Sequence, residues 1–93
     1  MKANILLVDD DSAFRHVLGG ELQRLGYSTA AAGTGEEAVR RVAECEPDIV
    51  LLDLHMPKAD GFEVLKALRD DESMRRLPVL ALLGAAWAVW PRP

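Results

Sequence analysis

From Pro47 to Gly61 the chain reads PDIVLLDLHMPKADG, and this stretch limits what the rest can become. Ile49 to Leu54 is a run of large apolar residues, β-branched at its start, that holds one carboxylate, Asp53. Pro47 and Asp48 close the run on one side, and Pro57, Asp60 and Gly61 close it on the other. A short apolar run between breakers reads as a strand buried on both faces, the kind found in parallel sheets. A carboxylate in such a strand is costly unless it is paired, metal-bound or at the solvent edge. Asp53 is therefore expected at the carboxyl end of a parallel strand, where open α/β sheets keep their ligand sites. Taken alone, the residue leaves two readings open: a functional group, or an Asp that only caps the next turn.

The remaining chain supplies partners for that strand. Asn4 to Val8 (NILLV) is a second buried strand, closed by Asp9, Asp10 and Asp11. Asp11 or Ser12 can cap a helix, and Phe14, Val17, Leu18, Leu22 and Leu25 recur at helical spacing as its apolar face. Gly26 stands where such a helix ends, and Gly19 and Gly20 within it imply close packing. Tyr27 to Ala32 is a weaker strand. Thr34 and Glu37 form a capping pair for a second helix, whose face is Ala38, Val39, Val42 and Ala43. Asp60 and Glu63 offer another pair, before a helix carrying Phe62, Leu65 and Leu68. Asp70 to Arg76 is a charged connection, and Val79 to Leu83 is a fourth strand. The order β-α-β-α-β-α-β implies right-handed crossovers and a parallel sheet covered on both faces.

Ninety-three residues make one small domain. The net charge of −4 and the absence of any Lys/Arg run argue against nucleic acid or an anionic membrane as partner. The lone Cys45 cannot form an internal disulfide, which suits a reducing cytoplasm. Ile5 to Val8 is too short for a signal peptide. From Leu77 to Trp90 every residue is apolar, Gly or Pro, yet this is short of the ~20 residues of a membrane span. His16 is read as a solvated residue of the first helix, and Arg40, Arg41, Arg75 and Arg76 as solvated faces.

Asp9, Asp10 and Asp53 all end buried strands, and in a parallel sheet those ends share one edge. Three converging anions repel unless a cation or protons offset them. Oxygen donors suit a hard divalent ion, and so few carboxylates favour Mg²⁺, leaving room for water and a phosphate. A metal beside one strand-end Asp suggests a carboxylate nucleophile that attacks phosphorus.

These residues resemble the receiver domain of two-component response regulators. The likeness is carried by ILLVDDDSAFR at Ile5 to Arg15, DIVLLDLHMPKADGFEVL at Asp48 to Leu65 and LPVLAL at Leu77 to Leu82. It implies a flavodoxin-like, doubly wound parallel sheet, here truncated to about four strands and three helices in the order 2-1-3-4. It makes Asp53 the phosphoacceptor, which takes a phosphoryl group from a sensor histidine kinase or a histidine phosphotransfer protein. Asp10, Asp53 and the main-chain carbonyl of His55 become Mg²⁺ ligands, with Asp9 acting through water. Met56, Pro57 and Gly61 shape the loop beyond the acceptor, and Asp11 is a helix cap. Such a domain is a cytoplasmic signalling module rather than a turnover enzyme. A phosphatase of the haloacid dehalogenase kind needs D-x-D, and His55 takes the place of its second Asp.

The chain also departs from that family. Leu83 stands where the pattern has a Thr or Ser, and no residue after Leu77 is a lysine. The family continues through a helix, a strand with a K-P turn and a further helix, none of which the sequence contains. The expectation is a receiver-like domain over 1–83 and an apolar tail over 84–93. Strand four then becomes an unpaired edge, and one sheet face beside the first helix is uncovered. That arrangement predicts a homodimer through strand four and the tail. The rivals to phosphoryl reception are a pseudo-receiver that binds partners without a switch, and a degenerate truncated product.

Overall fold

The computed structural model describes residues 3–53, 61–72, 74–83 and 86–90, with residues 82, 83 and 86–90 described by their backbone. The elements run β1 (Asn4–Val8), α1 (Ser12–Arg24), β2 (Ser28–Ala32), α2 (Gly35–Cys45), β3 (Ile49–Asp53), α3 (Gly61–Asp70), β4 (Val79–Leu83) and β5 (Ala86–Trp90). Strands β1 to β4 are parallel in the order 2-1-3-4, and β5 joins the far side of β4 in the antiparallel sense. In register, Leu7 lies opposite both Ala31 and Leu51, and Asp53 lies opposite Leu82.

Local chemistry sets the helix ends. Asp11 caps α1, its carboxylate accepting from the N–H groups of Ala13 and Phe14 at 3.0 and 3.1 Å. At the other end Gly26 takes φ 102°, its N–H donates to the Gln23 carbonyl, and that of Tyr27 donates to Leu22. This is a Schellman turn, and it requires the left-handed backbone that Gly26 supplies. Thr34 caps α2 through the Glu37 N–H at 3.1 Å. The partner Asp60 of the third capping pair lies outside the described residues.

The core lies on one face of the sheet. Leu6, Val8, Val50, Leu52, Val79 and Ala81 pack there under Ala38 and Val42 of α2 and Val64 and Leu68 of α3. Gly35 permits the two helices to meet, since a Cβ on it would stand 2.9 Å from Val64 Cγ2. The charged connection after α3 is gathered by Arg69, whose guanidinium donates to the carbonyls of Met74, Arg75 and Leu77. Met74 thereby reaches the core.

The opposite face is thinner. There α1 lies over β1 and β2, with Gly19 buried against Leu7 and Thr29. Ile49, Leu51 and Leu80 are only half-buried. Most of the apolar face expected of α1 is exposed: Phe14 by 43%, Val17 by 64% and Leu25 by 73%. The helix seats itself through its small residue, and these larger ones are left largely uncovered. Phe62 of α3 is likewise 55% exposed, and Val64 takes the buried place instead. Of the two adjacent glycines only Gly19 marks a close approach; a Cβ on Gly20 would meet nothing within 4 Å.

The largest correction concerns the chain end. The expectation of an unpaired β4 is overturned, because β5 pairs with it from Leu83↔Ala86 to Val79↔Trp90. Strand edges leave N–H and C=O groups unmet, and the nearest apolar, β-favouring segment, AWAVW, meets them. Residues 86–90 thus extend the sheet rather than trail from it.

Candidate functional site

Two strand ends bring three carboxylates together at one edge of the sheet. Asp9 follows β1 directly, Asp10 is its neighbour, and Asp53 is the last residue of β3. Val8 and Leu52 are in register, so the carboxylates beyond them are carried to the same corner. Asp9, Asp10 and Asp53 each offer an oxygen to one cluster, and those atoms lie within 4.8 Å of one another.

The three residues are not equivalent. Asp9 is buried, whereas Asp10 and Asp53 are partly exposed. The Asp9 main chain donates its N–H to the Ala32 carbonyl at 3.1 Å, and its Oδ1 accepts from the Asp11 N–H at 2.9 Å. Burial pushes the Asp9 carboxyl above the usual carboxylate range; the Asp11 N–H pulls against this, and the charges of Asp53, Asp10 and Asp11 push with it. Burial and the neighbouring carboxylates thus place a penalty on ionised Asp9. A divalent ion held by carboxylates and water would relieve it, and the donor set fits Mg²⁺.

Among the remaining predicted residues, Gly61 opens α3 and is buried. Leu83 closes β4, one position past the partner of Asp53. His55, Met56 and Pro57 lie outside the described residues. Asp11 is the α1 cap, and His16 is exposed. Two open grooves, each of about 400 Å³, include none of the three carboxylates. One runs between α1 and β2 past Arg15 and His16; the other lies between the end of α2 and Met74.

One neighbour of the site escaped the sequence reading. Arg15 donates from Nη1 to the Asp9 carbonyl. The signal was present in its position, one turn into a helix that starts beside the strand end. Helical side chains lean toward the N-terminus, so a long one there reaches back over the preceding residues.

Residues 5–86 match the family of the response regulator receiver domain. The chain belongs to the response regulator receiver family. It is 40% identical over 82 residues to the alkaline phosphatase synthesis transcriptional regulatory protein PhoP of Bacillus subtilis, covering 88% of this chain and 33% of that one. It is 33% identical over 86 residues to the polar-differentiation response regulator DivK of Brucella ovis, covering 92% and 70%. Among solved structures, the N-terminal domain of a response regulator receiver protein from Methanoculleus marisnigri superposes with a TM-score of 0.83 at 38% identity, over 87% of this receiver and 66% of that chain. The chemotaxis response regulator CheY4 of Vibrio cholerae gives 0.79 at 32% identity, over 87% and 68%. The parallel part of the sheet and its three helices are thus the flavodoxin-like receiver fold, while the receiver spans about a third of its PhoP relative. Among the described residues no helix is long and apolar enough to cross a membrane.

Proposed function

We propose that this receiver is the phosphoacceptor module of a two-component phosphorelay, working in the cytoplasm as a signalling domain rather than a turnover enzyme. The observation that carries the reading is the meeting of Asp9, Asp10 and Asp53 within 4.8 Å. Asp53 is the nucleophile, since it ends the central strand and is less buried than Asp9. Its carboxylate oxygen forms the new O–P bond as the P–N bond of a donor phosphohistidine breaks, and the imidazole leaves with the electron pair and takes up a proton. The donor is a sensor histidine kinase or a histidine phosphotransfer protein. Asp10, Asp53 and the His55 carbonyl would hold Mg²⁺, with Asp9 reaching it through water. Bound there, the ion would offset the charge of the carboxylates and the incoming phosphoryl oxygens. Met56, Pro57 and Gly61 would shape the loop beyond the acceptor.

Leu83 favours a second reading, an interaction module without a phosphorylation switch. Leucine offers no hydroxyl to a phosphoryl oxygen, and a modification shifts an equilibrium only through contacts that differ between two states. Incubation with acetyl phosphate and Mg²⁺, followed by intact mass spectrometry, tests the first reading. One phosphoryl adduct should form, and Asp53→Asn should abolish it. No adduct, or an equal adduct on the variant, would leave the second reading standing.

Self-association belongs to the same proposal. With the β4 edge occupied, a second copy would meet the outer edge of β5 and the exposed apolar residues of α1, a change from the interface expected on strand four itself.

A further inference from the structure

We infer that Arg15 is a positioning residue for the acidic site: its guanidinium holds the main chain of Asp9, and so the place of the Asp9 carboxylate among those of Asp10 and Asp53. The inference rests on the metal-binding reading given above. Asp9 is fixed at three points: its N–H on the Ala32 carbonyl, its Oδ1 on the Asp11 N–H, and its carbonyl on Arg15 Nη1. The first belongs to the β1–β2 ladder and the second to the turn into α1. Among the described residues, only the third depends on a side chain outside that turn.

A second observation on the same guanidinium comes from the β2–α2 connection. A Cβ on Gly33 would stand 3.0 Å from Arg15 Nη1, 3.5 Å from Cζ and 3.6 Å from Nη2. Gly33 does not have positive φ, so its backbone does not demand glycine. What the missing side chain provides is room for the guanidinium. Arg15 of α1 therefore reaches the end of β1 through a hydrogen bond and lies close over Gly33 at the start of the connection to α2. A planar group with several donors suits a main-chain carbonyl reached through so narrow a space.

Two consequences of removing Arg15 have opposite signs, and this makes the test decisive. If the residue positions Asp9, its loss weakens metal binding; if it acts only as a nearby positive charge, its loss tightens binding. The experiment measures Mg²⁺ affinity by calorimetry on the full chain, with far-UV circular dichroism of the metal-free protein as the check on folding. Arg15→Met should bind Mg²⁺ roughly 10-fold or more weakly, the range for groups that orient a ligand. Arg15→Lys should restore part of the loss. Gly33→Ala keeps Arg15 but crowds its guanidinium, so it should weaken binding by itself and add nothing in the Arg15→Met background. Unchanged or tighter binding by Arg15→Met overturns the inference, as does a Gly33→Ala effect of equal size in both backgrounds. No Mg²⁺ binding by the unsubstituted chain overturns the metal-site reading itself, a result distinct from either.

Discussion

Replacing Gly35 with alanine sets two effects of known sign against each other. In a helix, alanine is favoured over glycine by about 0.5–1 kcal/mol, chiefly because the unfolded chain loses freedom. Against this, the new methyl would lie 2.9 Å from Val64 Cγ2, about 0.6 Å inside the ~3.5 Å at which carbon atoms begin to attract. Val64 is only 3% exposed and sits in the cluster with Leu68 and Val42, so it has nowhere to retreat. Overpacking of that kind costs about 1–3 kcal/mol. The steric effect wins, and Gly35→Ala should destabilise by about 1 kcal/mol, lowering the unfolding midpoint by roughly 4–8 °C in a domain of this size. Gly20→Ala is the control. Nothing stands within 4 Å of its added methyl, so it should stabilise by about 0.5–1 kcal/mol. Urea titration followed by circular dichroism measures both. In a Val64→Ala background the Gly35→Ala penalty should vanish or change sign. A Gly35→Ala protein as stable as the parent, with Val64 intact, would refute the reasoning.

Two further outcomes are expected. Asp9 holds its proton more tightly folded than unfolded, so its stabilising contribution is full below the unfolded carboxylate pKa and is lost as pH rises through the raised folded value. Urea midpoints of metal-free Asp9→Asn should accordingly gain on those of the parent as pH rises across that interval, and a gap that ignores pH would count against it. Sedimentation at micromolar concentration should reveal a dimer that is lost when residues 84–93 are removed; a single species near the 10.2 kDa monomer would sink self-association.

What the sequence made legible was what depends on pattern and spacing. The apolar runs at Asn4–Val8, Ile49–Asp53 and Val79–Leu83 became parallel strands, and Asp9, Asp10 and Asp53 met at their ends. The caps at Asp11 and Thr34 and the turn at Gly26 were readable because each is a local bargain between one side chain or φ angle and its neighbours. The misses were tertiary. The Phe14, Val17 and Leu25 stripe has helical period, yet period cannot say whether another element lies opposite it. The pairing of AWAVW with β4 is a choice among all segments that could satisfy that edge, and no local rule names the winner. Gly33 and Gly35 look alike on the page, but one makes room for Arg15 and the other for Val64.

The border strand has a consequence for how the fold breathes. Strands β1, β3 and β4 are hydrogen-bonded on both sides, whereas β5 is fastened along β4 alone. Its amides should therefore exchange with deuterium through a local opening, well before those of β1 and β3, whose release waits for global unfolding. Each such opening would bare the outer backbone edge of β4, which β5 otherwise covers. A competing strand from outside could then take the vacated lane by displacement, with no unfolding of the receiver around it.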